Sequence, residues 1–190
     1  MKGTNELEGP DDKHSRDAIH AGGELIMAIR GSCLCGGVTF EIEKAVGPME
    51  FCHCNRCRKL SGSNAILGIG VNTGDYRFLS GHELVKTYEA PILYGPPPYH
   101  STFCAGCGSP VPVPDPEGDW FEIPAGLLDD DPGIKPDKHI FVELLPAWDE
   151  ITDTLPQYTM KALHKLRTGK ELPENFQPRT HHESHDGGDP

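Results

Sequence analysis

The sequence predicts an all-β protein, mainly strand with minor helix, and three observations carry that expectation. Several short runs alternate apolar and polar residues with a period of two. Those runs are rich in β-branched and aromatic residues and are bounded by Gly, Pro, Asn or Asp. The 190 residues include 22 Gly and 18 Pro, a composition that suits many turns between short strands better than long helices. The length fits one domain with extensions, and no repeat or linker divides the middle of the chain.

Taken in order, Val38, Phe40 and Ile42 face one way along an extended chain, with Thr39 and Glu41 facing the other, the period of a half-buried strand. Further strands are expected at 65–71 (AILGIGV), 76–80 (YRFLS), 83–89 (ELVKTYE), 99–104 (YHSTFC), 120–128 (WFEIPAGLL) and 139–145 (HIFVELL). The one fair helix candidate is 159–168 (TMKALHKLRT), where Met160, Leu163 and Leu166 or Arg167 recur at helical spacing before Gly169. The segments 91–100 (PILYGPPPYH) and 110–119 (PVPVPDPEGD) flank a cysteine pair, and their prolines confine them to rigid, extended approaches.

Residues 1–24 and 170–190 are polar and nearly free of large apolar side chains, so they are expected to be disordered tails around a domain at 25–169. His14, His20, His181, His182 and His185 fall in these tails and read as solvated side chains. The formal charge is -12, of which each tail carries -3. Such acidity argues against a nucleic-acid partner, whose phosphates call for Lys and Arg. The N-terminal stretch lacks an apolar signal core, and the apolar run 25–29 is too short to span a membrane, which predicts a cytoplasmic protein with no membrane partner. No phosphate loop, dinucleotide fingerprint or GxSxG elbow is present.

The chemistry resides in seven cysteines, placed as Cys33 and Cys35 (GSCLCGG), Cys52, Cys54 and Cys57 (FCHCNRCRK), and Cys104 and Cys107 (FCAGCGSP). A CxC or CxxC on a tight turn puts two sulfurs on one side of the backbone, where both can reach a single zinc. Closed structural zinc sites take four protein ligands and catalytic ones take three, and seven divides into four and three. Pairing the two-cysteine clusters closes a site of Cys33, Cys35, Cys104 and Cys107. Cys52, Cys54 and Cys57 are then left for an open one, giving two zincs per chain. An alternative joins Cys54 and Cys57 to Cys104 and Cys107 and strands the other three. Disulfides are a third reading, disfavoured in a reducing compartment.

The ordered series GSCLCGGVTFEI, CHCNRCRKLSGS, YHSTFCAGCGSPV, AGLLDD and HIFVELLPAWDEITDTLPQY resembles the glutathione-dependent formaldehyde-activating enzyme family, which includes centromere protein V, over about residues 28–158. The resemblance implies a β-tent fold of two antiparallel sheets carrying two zincs. By position it implies that Cys33, Cys35, Cys104 and Cys107 hold the structural zinc and Cys52, Cys54 and Cys57 the catalytic one.

A zinc held by three thiolates is a weak Lewis acid that suits a substrate thiol better than water. The expected activity is therefore that of a carbon–sulfur lyase or S-(hydroxymethyl)glutathione synthase, joining a small thiol such as glutathione to an aldehyde. The alternative is a non-catalytic zinc module that binds a protein partner. Arg56 and Arg58, with Lys59, surround Cys57 and can pair with a carboxylate of glutathione, or else form a solvated basic turn. His53 is either a ligand or proton shuttle or a supporting side chain. Asp129 and Asp130 are either a general base or the end of a strand.

Overall fold

The computed structural model describes residues 19–21, 24–26, 28–90, 99–173 and 176. Its elements run β1 (Ile19–Ala21), β2 (Glu24–Ile26), β3 (Ile29–Ser32), β4 (Thr39–Ile42), β5 (Met49–Cys52), α1 (Asn55–Ser61) and β6 (Ile66–Asn72). There follow β7 (Tyr76–Ser80), β8 (Val85–Ala90), β9 (Tyr99–Cys104), β10 (Trp120–Pro124), β11 (Lys138–Ile140), β12 (Gln157–Tyr158) and α2 (Met160–Thr168). The protein is mainly β, as the alternation predicts.

Five strands pair in the order β10-β6-β5-β11-β12 and three in the order β3-β4-β7, with two-stranded pairs β1-β2 and β8-β9 beside them. Pairing is antiparallel throughout except where β11 runs parallel to β5 and to β12. Ile29, Phe40 and Ile42 of the three-stranded sheet share one buried cluster with Met49, Ile69, Val71 and Ile123 of the five-stranded sheet. The inward face read from residues 38–42 is correct, since Val38, Phe40 and Ile42 are all at most 1% exposed. Burying Phe40 is worth about 1.5–3 kcal/mol. Its ring lies across Gly31 on the neighbouring strand, where a Cβ would stand 2.2 Å from the ring.

Several boundaries differ from expectation for local reasons. The run at 139–145 is strand only to Ile140, because Phe141 takes a left-handed φ of 59° and Val142–Leu144 then coil into a 3-10 turn. The run at 120–128 likewise ends at Pro124 before a 3-10 turn at Ala125–Leu127, and that at 83–89 begins only at Val85. Residues 91–98 of the first proline-rich segment lie outside the described residues.

The helix at the C-terminal side is as expected, capped by Thr159, whose hydroxyl accepts from Ala162 N–H at 3.3 Å, and stopped by Gly169 in the left-handed region. Its buried face is Met160 and Leu163, while Leu166 is exposed and Arg167 reaches back to the sheet. A second helix, α1, also forms over seven residues and buries none of them, which is why no apolar periodicity announces it.

The expected tails are modified at their inner ends. Ile19–Ala21 pairs with Glu24–Ile26, and Leu172 and Phe176 pack against a buried cluster of Cys54, Ile140, Phe141, Met160 and Leu163. Packed side chains thus continue past residue 169. Residues 1–18, 22, 23, 174, 175 and 177–190, with His14, His181, His182 and His185, lie outside the described residues.

Candidate metal centres

Cys33 follows β3 and opens a turn to β4. The Val38 N–H donates to its sulfur at 3.3 Å, and Gly36 supplies the left-handed residue at φ 71°. Cys104 ends β9 and opens a second turn, closed by Gly108 N–H to Cys104 O at 2.7 Å. Ser109 ties the turns together, its hydroxyl oxygen accepting from Leu34 N–H at 3.0 Å. The sulfurs of Cys33, Cys35, Cys104 and Cys107 all lie within 4.8 Å of one another. Cys33 and Cys35 are 3.5 Å apart, and Cys35 and Cys104 are 3.9 Å apart. A tetrahedral zinc with four bonds of about 2.3 Å requires sulfur separations near 3.8 Å, so this donor set fits the metal.

The second cluster joins the end of β5 to the start of α1. Cys52 is the last residue of the strand. Cys54 is the N-cap of the helix, its sulfur 3.4 Å from the Cys57 N–H, and Cys57 lies in the first turn. These three sulfurs also lie within 4.8 Å of one another, with Cys54 buried and the other two half-buried. The seven sulfurs fall into these two separate groups, so the ribbon pairing of Cys54 and Cys57 with Cys104 and Cys107 is not the arrangement adopted.

The three sulfurs of the trio compete for ionisation. Contacts from Cys52 and Cys57 hold the Cys54 thiol down at about 2, whereas the thiol of Cys52 is pushed far up by Cys54, Cys57 and burial. Cys57 is pushed up to about 12, its contact with Cys52 lowering it and that with Cys54 and burial prevailing. Three adjacent sulfurs cannot all ionise without a positive charge among them. In the four-cysteine cluster the Ser109 hydroxyl and backbone hold Cys107 at about 6.

The remaining candidate residues are dispersed. Arg56 and Arg58 flank Cys57 on α1, and an Arg58 Nη donates to Asn55 Oδ1. Asp130 pairs with Arg30 at 2.9 Å and Asp129 accepts from the Ser32 hydroxyl at 3.1 Å, so both carboxylates serve β3. His53 is 3% exposed and its Nε2 lies 2.8 Å from Nδ1 of His139.

Sequence reasoning missed a buried carboxylate two residues before Cys52. Glu50 is 1% exposed, forms an ion pair with Arg167 of α2, and lies 3.6 Å from Lys138 Nζ. Glu122 stands 4.0 Å from the same guanidinium. Burial and the Glu50 charge raise its carboxyl to about 7, against the pull of Arg167. The signal was a Glu within the apolar run MEFC.

A mainly β domain with one four-sulfur and one three-sulfur cluster, each able to hold a metal, is the class that fold and site define. The chain belongs to the glutathione-dependent formaldehyde-activating enzyme family, whose model matches residues 28–144. A Halomonas elongata protein, provisionally named for that activity, is 32% identical over 133 residues, covering 66% of this chain and 82% of its own length. A crystal structure of a Rhodobacter sphaeroides protein is similar at 19% identity and a TM-score of 0.41, covering 56% of this chain and 91% of the other. Among the described residues no helix is long and apolar enough to cross a membrane.

Proposed function

We propose that this chain joins a small thiol to an aldehyde, in the manner of an S-(hydroxymethyl)glutathione synthase, with Cys52, Cys54 and Cys57 forming the reactive centre. One observation carries the reading. Seven cysteines divide by position into a group of four and a group of three, and no eighth remains to close the second group. Cys33, Cys35, Cys104 and Cys107 would hold a structural zinc, while Cys52, Cys54 and Cys57 would hold a second and leave one position for substrate. When bound there, zinc supplies the positive charge that lets a substrate thiol ionise at neutral pH while remaining nucleophilic.

The protein's own groups supply placement. Cys54, as helix cap, and Cys57, one turn into α1, fix two sulfurs on a rigid element, and Cys52 fixes the third on β5. The apolar side chains of Ile140, Phe141, Met160 and Leu163 back the trio, with Cys54 buried among them and Cys52 and Cys57 half-buried. Arg56 and Arg58 are assigned to the carboxylates of glutathione. Addition forms one carbon–sulfur bond, and the carbonyl oxygen takes the proton that the thiol gave up. The reverse is a carbon–sulfur lyase step.

Cobalt in place of zinc gives the test. Glutathione should change the ligand-field bands of one of two bound metals, and S-methylglutathione, lacking an ionisable thiol, should change neither. An unaltered spectrum, with no formaldehyde-dependent adduct formed above the uncatalysed rate, would overturn the enzyme reading and leave a zinc module.

A further inference from the structure

On the sheet face shared by Phe51 and His53, a line of polar groups runs from the back of the three-cysteine turn to the surface. His53 lies between Cys52 and Cys54, and its Nε2 meets Nδ1 of His139 at 2.8 Å. His139 Nε2 in turn lies 3.0 and 3.2 Å from the two carboxylate oxygens of Asp153. Asp153 is itself anchored by the Leu155 N–H at 2.9 Å, which with His139 keeps its carboxyl below the usual range. The two imidazoles stack with centroids 5.1 Å apart, and Phe51 stacks on His139 at 4.9 Å and 14°.

Backbone pairing builds this arrangement. β11 lies parallel to β5 with His139 opposite Phe51, and β12 places Gln157 opposite His139. The His53 N–H donates to Ile140 O at 3.1 Å and the His139 N–H to Pro156 O at 2.8 Å. Both histidines are at most 5% exposed. An apolar pair would fill the same space without the desolvation penalty that two buried imidazoles carry, so packing alone does not explain them.

The hydrogen bonding has few degrees of freedom. An ionised Asp153 only accepts, so His139 Nε2 carries a proton, and the contact between the rings holds one proton whichever ring owns it. Each ring is therefore pinned in orientation by the next. His53 occupies the central position of CxC, so a pinned His53 side chain fixes the peptide units from which the Cys52 and Cys54 sulfurs project.

We propose that His139 and Asp153 are positioning residues of the three-cysteine centre, holding the Cys52–His53–Cys54 turn in its ligating shape through His53. This rests on the reading of the trio as a metal site. Groups hydrogen-bonded directly to a ligand are worth roughly 10- to 100-fold in metal affinity, and His139 and Asp153 act one residue further back, so the lower end of that range applies.

Graded chelator competition from the cobalt-loaded full chain tests it, reading the dissociation constant of each of the two metals separately. His139→Phe fills the volume and preserves the stacking on Phe51 but removes both hydrogen bonds. It should weaken the more labile cobalt by roughly tenfold and leave the tighter one unchanged. His139→Asn, which keeps a polar atom near the position of Nδ1, should recover much of that loss. Equal affinities in wild type and His139→Phe, or an equal loss at both sites, would overturn the inference. Should His139→Phe not fold, Asp153→Ala carries the same test at a side chain that is 48% exposed. Wild type binding only one cobalt would instead overturn the reading of the trio, and this inference with it.

Discussion

Cys33, Cys35, Cys104 and Cys107 sit on two tight turns, Cys33 and Cys104 buried beside Val38 and Val111, Cys107 half-buried and Cys35 exposed. Cys52, Cys54 and Cys57 sit on a strand end and a helix start, against Ile140, Phe141, Met160 and Leu163. The two differ in valence. Four sulfurs suffice to complete a tetrahedron around a zinc, so on the proposed reading the first cluster would staple the β3–β4 connection to the end of β9. The second cluster buries only Cys54 and leaves Cys52 and Cys57 half-buried, so one side of the trio faces outward.

The largest expected effect separates staple from site. Cys104→Ser should lower stability by several kcal/mol, because metal-binding energy at a closed site is folding energy. Cys54→Ser should remain folded and lose one zinc equivalent. Thermal melts with metal analysis check both, and a reversed ranking would mean that the two roles are exchanged. A mild chelator should likewise remove one equivalent from wild type before the fold is lost.

Next in size is the wall of the open cluster. Leu163 is 3% exposed, and Leu163→Ala should cost about 2–5 kcal/mol in denaturant unfolding while loosening the second metal more than the first. Truncation after Gly169 removes Leu172 and Phe176 from the same cluster. It should cost about 1–2 kcal/mol, reflecting their partial burial, and an unchanged melting temperature would show that these side chains contribute nothing.

The smallest effect concerns Glu122. Its folded carboxyl holds a proton to about 7 against an ordinary value of 4.5. Between those values the folded state binds more protons than the unfolded state, so this group makes stability fall as pH rises through the window. Its side chain is 41% exposed and screened by solvent, so the slope should be shallow. Glu122→Gln should flatten it, as seen in melting temperatures between pH 4.5 and 7.

Much of the strand content was legible because alternation is a local property. Residues 38–42 and 76–80 follow their pattern closely, the first as β4 with Val38 beside it and the second as β7. Where a strand stops was less legible. Phe141 ends β11 through a backbone conformation that no side-chain pattern announces, and α1 lacks any buried residue to betray it. Leu172 and Phe176 read as tail because two apolar residues in a polar segment cannot show what they pack against.

The sequence by itself determined the two sulfur clusters proposed as donors. Spacing within CxC and CxxC dictates which sulfurs share a turn, and a count of seven leaves one group a ligand short. Tertiary structure alone decided which turns meet, bringing Cys35 to 3.9 Å from Cys104 across 69 residues. It also brought His139 to His53 and Arg167 to Glu50. The physical reason is range: ligand spacing is set by a few backbone dihedrals, whereas these meetings depend on strand order and on a core that forms only when both sheets close together.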